Sequence, residues 1–243
     1  MTTTIESEIS FTLENGKELA LMIAPGVFSP TQTTRLLIQA VQKVISTHMS
    51  LLDLGCGTGV VGLALHLQSL VKSPIYASDL SSAAVHCSRE NFSVYQCSAD
   101  VREGSLFEPW LGKKFDVIVD DISGIAQDIA VISPWFNGIP CETGSDGTAL
   151  VINVLRQAST YLNDGGRLFF PVISLSNVSL ILKEAEKNFD KIEMVARQEW
   201  PMPVELKEHM PLLKKLESEG HIKLKEQFGM VLCYTEIYCA THS

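Results

Sequence analysis

Ile9-Ser-Phe-Thr-Leu13 alternates apolar and polar residues, Asn15-Gly16 follows, and Leu19, Leu21 and Ile23 alternate again. A period of two puts one side of an extended chain against a core, and Asn-Gly favours the tight turn of a hairpin. An N-terminal β-hairpin is therefore predicted, closed by Pro25-Gly26. At Pro30-Thr31 the period changes. Leu36, Leu37, Ala40, Val41, Val44 and Ile45 fall on one face of a helix.

From residue 51 onward short apolar runs alternate with helical stripes. Leu51–Leu54, Ile75–Ser78, Ala99–Glu103 and Phe115–Val119 read as strands. Between the first two lies a helix with Val60, Leu63, Ala64, Leu67, Leu70 and Val71 on one side. Ser81 is placed to cap the next helix, which runs to about Asn91. The stretch up to Gly147 reads as irregular. A helix over 148–162, a turn at Asn163-Asp-Gly-Gly166 and a strand at Arg167–Phe170 follow. A helix over 177–187, a strand over 192–196, a helix after Pro203 and a last strand over 230–240 complete the chain. Strand–helix alternation at this spacing means βαβ units. The expected fold is α/β: a Rossmann-like, open, seven-stranded, mostly parallel sheet with helices on both faces and an antiparallel last strand. Residues 1–30 are expected to form a hairpin extension and residues 31–243 a single globular unit.

Composition agrees with a packed domain. Of 243 residues 46% are hydrophobic and 19% charged. The formal net charge of −9 argues against a nucleic-acid partner, since such proteins usually carry a basic face. The start Met-Thr-Thr-Thr-Ile-Glu-Ser-Glu has neither a basic region nor an apolar run, so no signal peptide is expected, and no membrane span is long enough to predict. The six cysteines form no C-x-x-C pair and do not bracket histidines at zinc spacing. They read as free thiols of a cytoplasmic protein, with no metal expected.

Asp53-Leu-Gly55-Cys-Gly57-Thr-Gly59 lies where the first strand of the sheet turns into a helix. Glycine lets a ligand approach the main chain closely, and the helix start offers free N–H groups. Asp79, twenty residues past Gly59, ends the second strand, where a carboxylate can accept the hydroxyls of a ribose. Gly57-Thr-Gly59-Val-Val-Gly62 is also a literal dinucleotide fingerprint, so an NAD-linked oxidoreductase is an alternative. Asp53 favours another ligand. An acid before the glycines suits the sulfonium and amino groups of S-adenosylmethionine and sits poorly against a pyrophosphate.

Leu51-Leu-Asp-Leu-Gly-Cys-Gly-Thr-Gly59 resembles motif I of the class I S-adenosylmethionine-dependent methyltransferases, and Ile75-Tyr-Ala-Ser-Asp-Leu-Ser81 resembles their second motif. Gly104-Ser-Leu-Phe-Glu-Pro109, Phe115–Val119, Gly144–Thr148 and Tyr161–Leu168 are similar to segments of the release-factor glutamine methyltransferases, within the small methyltransferase domain group. The resemblance implies that Asp53, Gly55, Gly57 and Gly59 hold the methionine part of the cofactor and Asp79 the ribose. Leu80 would lie beside the adenine, Leu106 is a further candidate cofactor contact, and Ser105 would face the adenine amino group, where the family usually has aspartate. Pro30 and Thr31 would belong to a segment covering the cofactor.

The resemblance is interrupted after the fourth strand. The glutamine enzymes continue with Asn-Pro-Pro-Tyr, but this chain has Asp120-Asp-Ile-Ser-Gly124. Asp121 stands for the asparagine and Gly124 for the tyrosine, so the aromatic wall is missing. An ionised aspartate only accepts hydrogen bonds, which suits an acceptor that donates: an amine, a hydroxyl or another protonated heteroatom. Asp121 is the candidate catalytic base, and Asp120 is expected to bond nearby N–H groups in a loop. Asp121, Ser123, Trp135 and Phe136 are the candidate acceptor-binding residues, the two aromatics lying in Ile132-Ser-Pro-Trp-Phe-Asn-Gly-Ile-Pro140. A plug that merely seals the loop is an equal reading of those two. Trp200-Pro-Met-Pro203 raises the same choice, with a lid preferred. The expected function is methyl transfer to an N or O nucleophile, first of a small molecule and second of a protein side chain. A non-catalytic S-adenosylmethionine-binding protein is a further alternative.

Overall fold

The computed structural model describes residues 7–122, 124–136, 139 and 141–242. The alternating N-terminal runs form β1 (Ser7–Thr12) and β2 (Glu18–Ile23), paired antiparallel around a turn in which Gly16 takes φ +79°. Helix α1 (Gln32–Val44) begins at Thr31, whose hydroxyl accepts the Thr33 N–H. Then come β3 (Leu51–Leu54), α2 (Val60–Leu67), β4 (Ile75–Asp79), α3 (Ser82–Val94), β5 (Ala99–Glu103) and β6 (Phe115–Asp120). Ser81 caps α3 by accepting the Ala84 N–H, as its position predicts. The second half holds α4 (Gln127–Ile132), α5 (Ala149–Gln157), β7 (Leu162–Ile173), α6 (Val178–Asn188) and β8 (Lys191–Pro201). It ends with α7 (Val204–Lys207), α8 (Met210–Ser218), β9 (Lys225–Gln227) and β10 (Met230–Thr241).

The main sheet runs β5-β4-β3-β6-β7-β10-β8, with β9 added beside β10. Pairs among β5, β4, β3, β6 and β7 are parallel, while β10 is antiparallel to β7, β8 and β9. Side chains of α1, α2 and α3 fill one face and those of α5 and α6 the other. Phe11, Leu13, Leu19 and Leu21 of the hairpin pack into the same core as α1 and α2. A third cluster gathers α4, α7 and α8 around Phe136, Met202 and Leu206, forming a cap beside the sheet.

Three local readings change. The stretch over 121–147 is not wholly irregular, because burial of Ile129 and Ala130 supports the short α4. The helix predicted over 148–162 ends at Gln157 and continues as one tight 3-10 turn. Asn163–Gly166 is not a connecting turn but an irregularity inside β7, where Phe115 faces Leu162 and Val117 faces Arg167. Asp116 explains it: its two oxygens hold Asn163 Nδ2 at 2.7 Å and the Ser50 N–H and hydroxyl at 2.7 Å, fixing the bulged segment against β6. All six cysteines are unpaired, and no helix among the described residues is long and apolar enough to cross a membrane.

Candidate functional site

The chain leaves β3 for β4 and β5 on one side, then returns to β6 and β7 on the other. The connections diverge between β3 and β6, and in an open α/β sheet this switch point opens a crevice past the strand ends. Asp53, Asp79 and Asp120 lie at those ends. A cleft of about 410 Å³ occupies the crevice, lined by Gly55, Gly57, Asp79, Leu80, Ser105, Leu106 and Asp121, among others.

The backbone shapes this cleft. Gly55 and Cys56 donate their N–H groups to Ser78 O at 2.9 and 3.0 Å, stapling the loop to β4. Gly57 donates to Asp79 Oδ2 at 3.0 Å and Ser81 to Asp79 Oδ1 at 2.9 Å. Each carboxylate oxygen retains a lone pair for a ligand hydroxyl. Gly57 adopts φ +50°, and an added Cβ would find only Phe28 O within 4 Å, at 3.7 Å, so its free side is open. Gly62 is closed instead: a Cβ there would come within 2.8 Å of Ile75 Cγ2 and 3.4 Å of Asp53 Oδ2. The last glycine of the literal dinucleotide fingerprint thus serves to bring α2 onto Asp53.

Asp53 is fully buried and accepts the Gly62 N–H at Oδ2, 3.0 Å away. Its Oδ1 is buried without a partner among the described residues. Burial pushes its carboxyl up to about 8, against the Gly62 bond, with the charges of Asp121 and Asp79 adding to the rise. Among the described residues lining the cleft there is no lysine, arginine or histidine, and Asp79 and Asp121 carry its charge, which favours a ligand bringing positive charge over a pyrophosphate. Asp53 and Gly59 do not line the cleft themselves: Asp53 is buried behind it and Gly59 faces Phe92 and Ser88 of α3. Leu80 is 72% exposed at the rim, an apolar side chain available to a flat ring.

Ser105 and Leu106 also line the cleft, as the resemblance implies. Thr31 does not. Its hydroxyl is taken by the helix cap, and Pro30 and Thr34 reach the cleft instead. The reason is helical geometry, since a capping side chain folds back over the first turn.

Asp120 and Asp121 part, as neighbours on an extended chain do. Asp120 is buried and accepts the Ile122 N–H at 3.0 Å, closing a turn. Asp121, Thr34, Ile122 and Phe28 line both the cleft and a second pocket of about 250 Å³. Burial pushes the Asp121 carboxyl up to about 7, opposed by a hydrogen bond from the Thr34 hydroxyl. Burial likewise pushes Asp120 up to about 7. The second pocket is walled by Phe28, Trp135, Phe136 and Trp200, with Asp121 as its one ionisable side chain among the described residues. Phe136 packs edge-on to Phe28 at 5.2 Å, so it seals the loop and lines the pocket at once. Phe28 escaped the sequence reading because its run, Pro25 to Pro30, has no periodicity. Ser123 lies outside the described residues. No cluster of metal-ligating side chains occurs among the described residues.

Residues 18–121 match the methyltransferase small domain family model. A release factor glutamine methyltransferase of Geobacter sulfurreducens is 27% identical over 155 residues, 62% of this chain and 54% of that protein. Ribosomal RNA small subunit methyltransferase C of Haemophilus influenzae is 29% identical over 160 residues, 65% of this chain and 42% of that protein. The chain thus spans about half the length of the curated relatives it matches. Ribosomal protein L11 methylase from Lactobacillus delbrueckii subsp. bulgaricus superposes with a TM-score of 0.56 at 16% identity, covering 90% of this chain and 84% of that one. The fold is the Rossmann-like one of these methyltransferases.

Proposed function

We propose that this chain is an S-adenosylmethionine-dependent methyltransferase that modifies an N or O nucleophile. The observation that carries the reading is the carboxylate-lined cleft, with the orphaned Oδ1 of Asp53 buried behind it. The match over residues 18–121 and the names of the relatives support it. Asp53 and the Gly55–Gly59 loop would hold the methionine part, Asp79 the ribose, and Leu80, Ser105 and Leu106 the adenine. The bound cofactor supplies an activated methyl group, so the chain's own task is positioning and the exclusion of water. Asp121 lies on both pockets, where it can accept a hydrogen bond from the incoming nucleophile. With its carboxyl near 7, the ionised base gains population as pH rises through that value.

The relatives act on proteins or rRNA by name, which moves the preferred acceptor from a free small molecule to a protein side chain. They also bring RNA back as a candidate, and the net charge of −9 is what weighs against it. Calorimetric titration of the full chain with S-adenosylmethionine and with NAD tests the cofactor. Saturable heat with the former alone is expected. Binding of NAD alone would overturn the reading.

A further inference from the structure

Resting on that reading of Asp121, we propose that the pocket walled by Phe28, Trp135, Phe136 and Trp200 takes the acceptor as a protonated amine. The pocket holds about 250 Å³, room for one side chain or one small ring. Its walls are mostly apolar, and Asp121 is the one charge among the described lining residues. A half-buried carboxylate ringed by apolar side chains has lost part of its water without gaining a cation. An ammonium group restores the balance, and aromatic rings attract a cation when both are desolvated. The aromatic wall lost with Gly124 is thereby replaced by four rings from three other places in the chain.

Charge favours an amine over an amide. Thr34 accepts the Thr31 N–H at 3.2 Å and turns its one proton to Asp121, while Gln32 also lines the pocket and has N–H groups that could serve a carbonyl. The preference for an ammonium therefore rests on the carboxylate of Asp121 and the rings around it. In the reaction the Asp121 carboxylate takes one N–H proton. The freed nitrogen pair forms the bond to the methyl carbon while the C–S pair stays on sulfur. The product leaves as a methylammonium ion, and Asp121 later returns its proton to solvent.

Two of the three tryptophans line this pocket, and Trp110 is buried elsewhere. Intrinsic fluorescence therefore reads binding. Benzylamine, benzyl alcohol and benzamide share one ring and differ in the polar group. With S-adenosylhomocysteine present at pH 8, benzylamine should bind about tenfold more tightly than the other two. In Asp121→Asn the three should become equal. Equal binding in the unaltered protein, which requires no variant to fold, would overturn the proposal, as would selectivity retained in Asp121→Asn. Nα-acetyl-lysine methylamide in the same titration separates the sources. Tighter binding than benzylamine points to a protein side chain and weaker binding to a free amine; binding of neither overturns the proposal. Calorimetry with S-adenosylmethionine on the same sample keeps the outcomes apart, because cofactor binding without amine binding removes this inference alone.

Discussion

The cleft proposed for the cofactor and the pocket proposed for the acceptor meet at Asp121 and Ile122, yet they are built by opposite means. The cleft is made of backbone. Its defining contacts are N–H groups of Gly55, Cys56, Gly57 and Ser81 held by Ser78 and Asp79. The pocket is made of side chains brought from the loop after β6, from the start of α1, from the loop before it, from β7 and from both sides of the cap. Backbone geometry tolerates few substitutions, whereas a wall of rings can be rebuilt. The difference suits a domain that keeps its methyl donor and changes its acceptor.

The largest effect should come from closing the cleft. Gly57→Val puts a branched side chain at φ +50°, into the free side of the loop. Cofactor affinity is expected to fall ~100-fold or more, and Asp79→Ala to lower it ~10–100-fold through the loss of charge-assisted hydrogen bonds. Calorimetry measures both. Affinities within twofold of the parent would show that the loop does not hold the cofactor.

Asp121→Ala should cut the other way. Cofactor affinity should hold within a few-fold, while turnover falls ~100-fold, the range of one general base. Single-turnover kinetics on an identified acceptor would show it. An equal loss of cofactor affinity would dissolve the boundary between the two regions.

Buried acids on both sides give the protein an unusual pH response. Burial raises Asp53 to about 8 and both Asp120 and Asp121 to about 7, far above an unfolded aspartate. Between about pH 4 and pH 8 the folded chain therefore keeps protons that the unfolded chain has lost. Stability falls as pH rises through that window. Asp100, Glu184, Glu193, Glu199 and Glu226, bonded to basic partners, and Asp116, bonded to Ser50 and Asn163, are shifted downward, and their contribution varies only at more acid pH. The ligand-free melting temperature should drop by several degrees from pH 5.5 to 8. Asp120→Asn, which keeps an acceptor for the Ile122 N–H, should flatten the slope. A melting temperature rising over this range would contradict the buried-acid account.

The same contrast explains what could be read from the chain. The glycine loop, Asp53 and Asp79 stood out because backbone-built loops use contiguous residues with fixed spacing, and the structure brings Gly55, Gly57 and Asp79 to the cleft. The hairpin and the parallel strands were legible from their periods. Trp135 and Phe136 were recognisable only as aromatics in a loop, since a plug and a pocket wall need the same residue types. Phe28 and Thr34 gave no signal, because their place beside Asp121 depends on how α1 crosses the sheet. The bulge at Asn163–Gly166 reads as a turn in sequence, and only the reach of Asp116 across β6 makes it part of a strand.

Thr31 gives the smallest and most discriminating test. Position along the chain assigned it to the cofactor, whereas the structure gives its hydroxyl to the Thr33 N–H at 3.2 Å and its own N–H to Thr34. This reciprocal cap serves α1 and reaches the cleft only through Thr34. Thr31→Ala should therefore cost about 1 kcal/mol of stability, as for other lost caps. Cofactor affinity should stay within twofold, because no atom of Thr31 lines that cleft. Denaturant unfolding and calorimetry on one preparation would decide. A tenfold loss of affinity with stability unchanged would return Thr31 to the cofactor side and make α1, rather than the glycine loop alone, part of the backbone-built half.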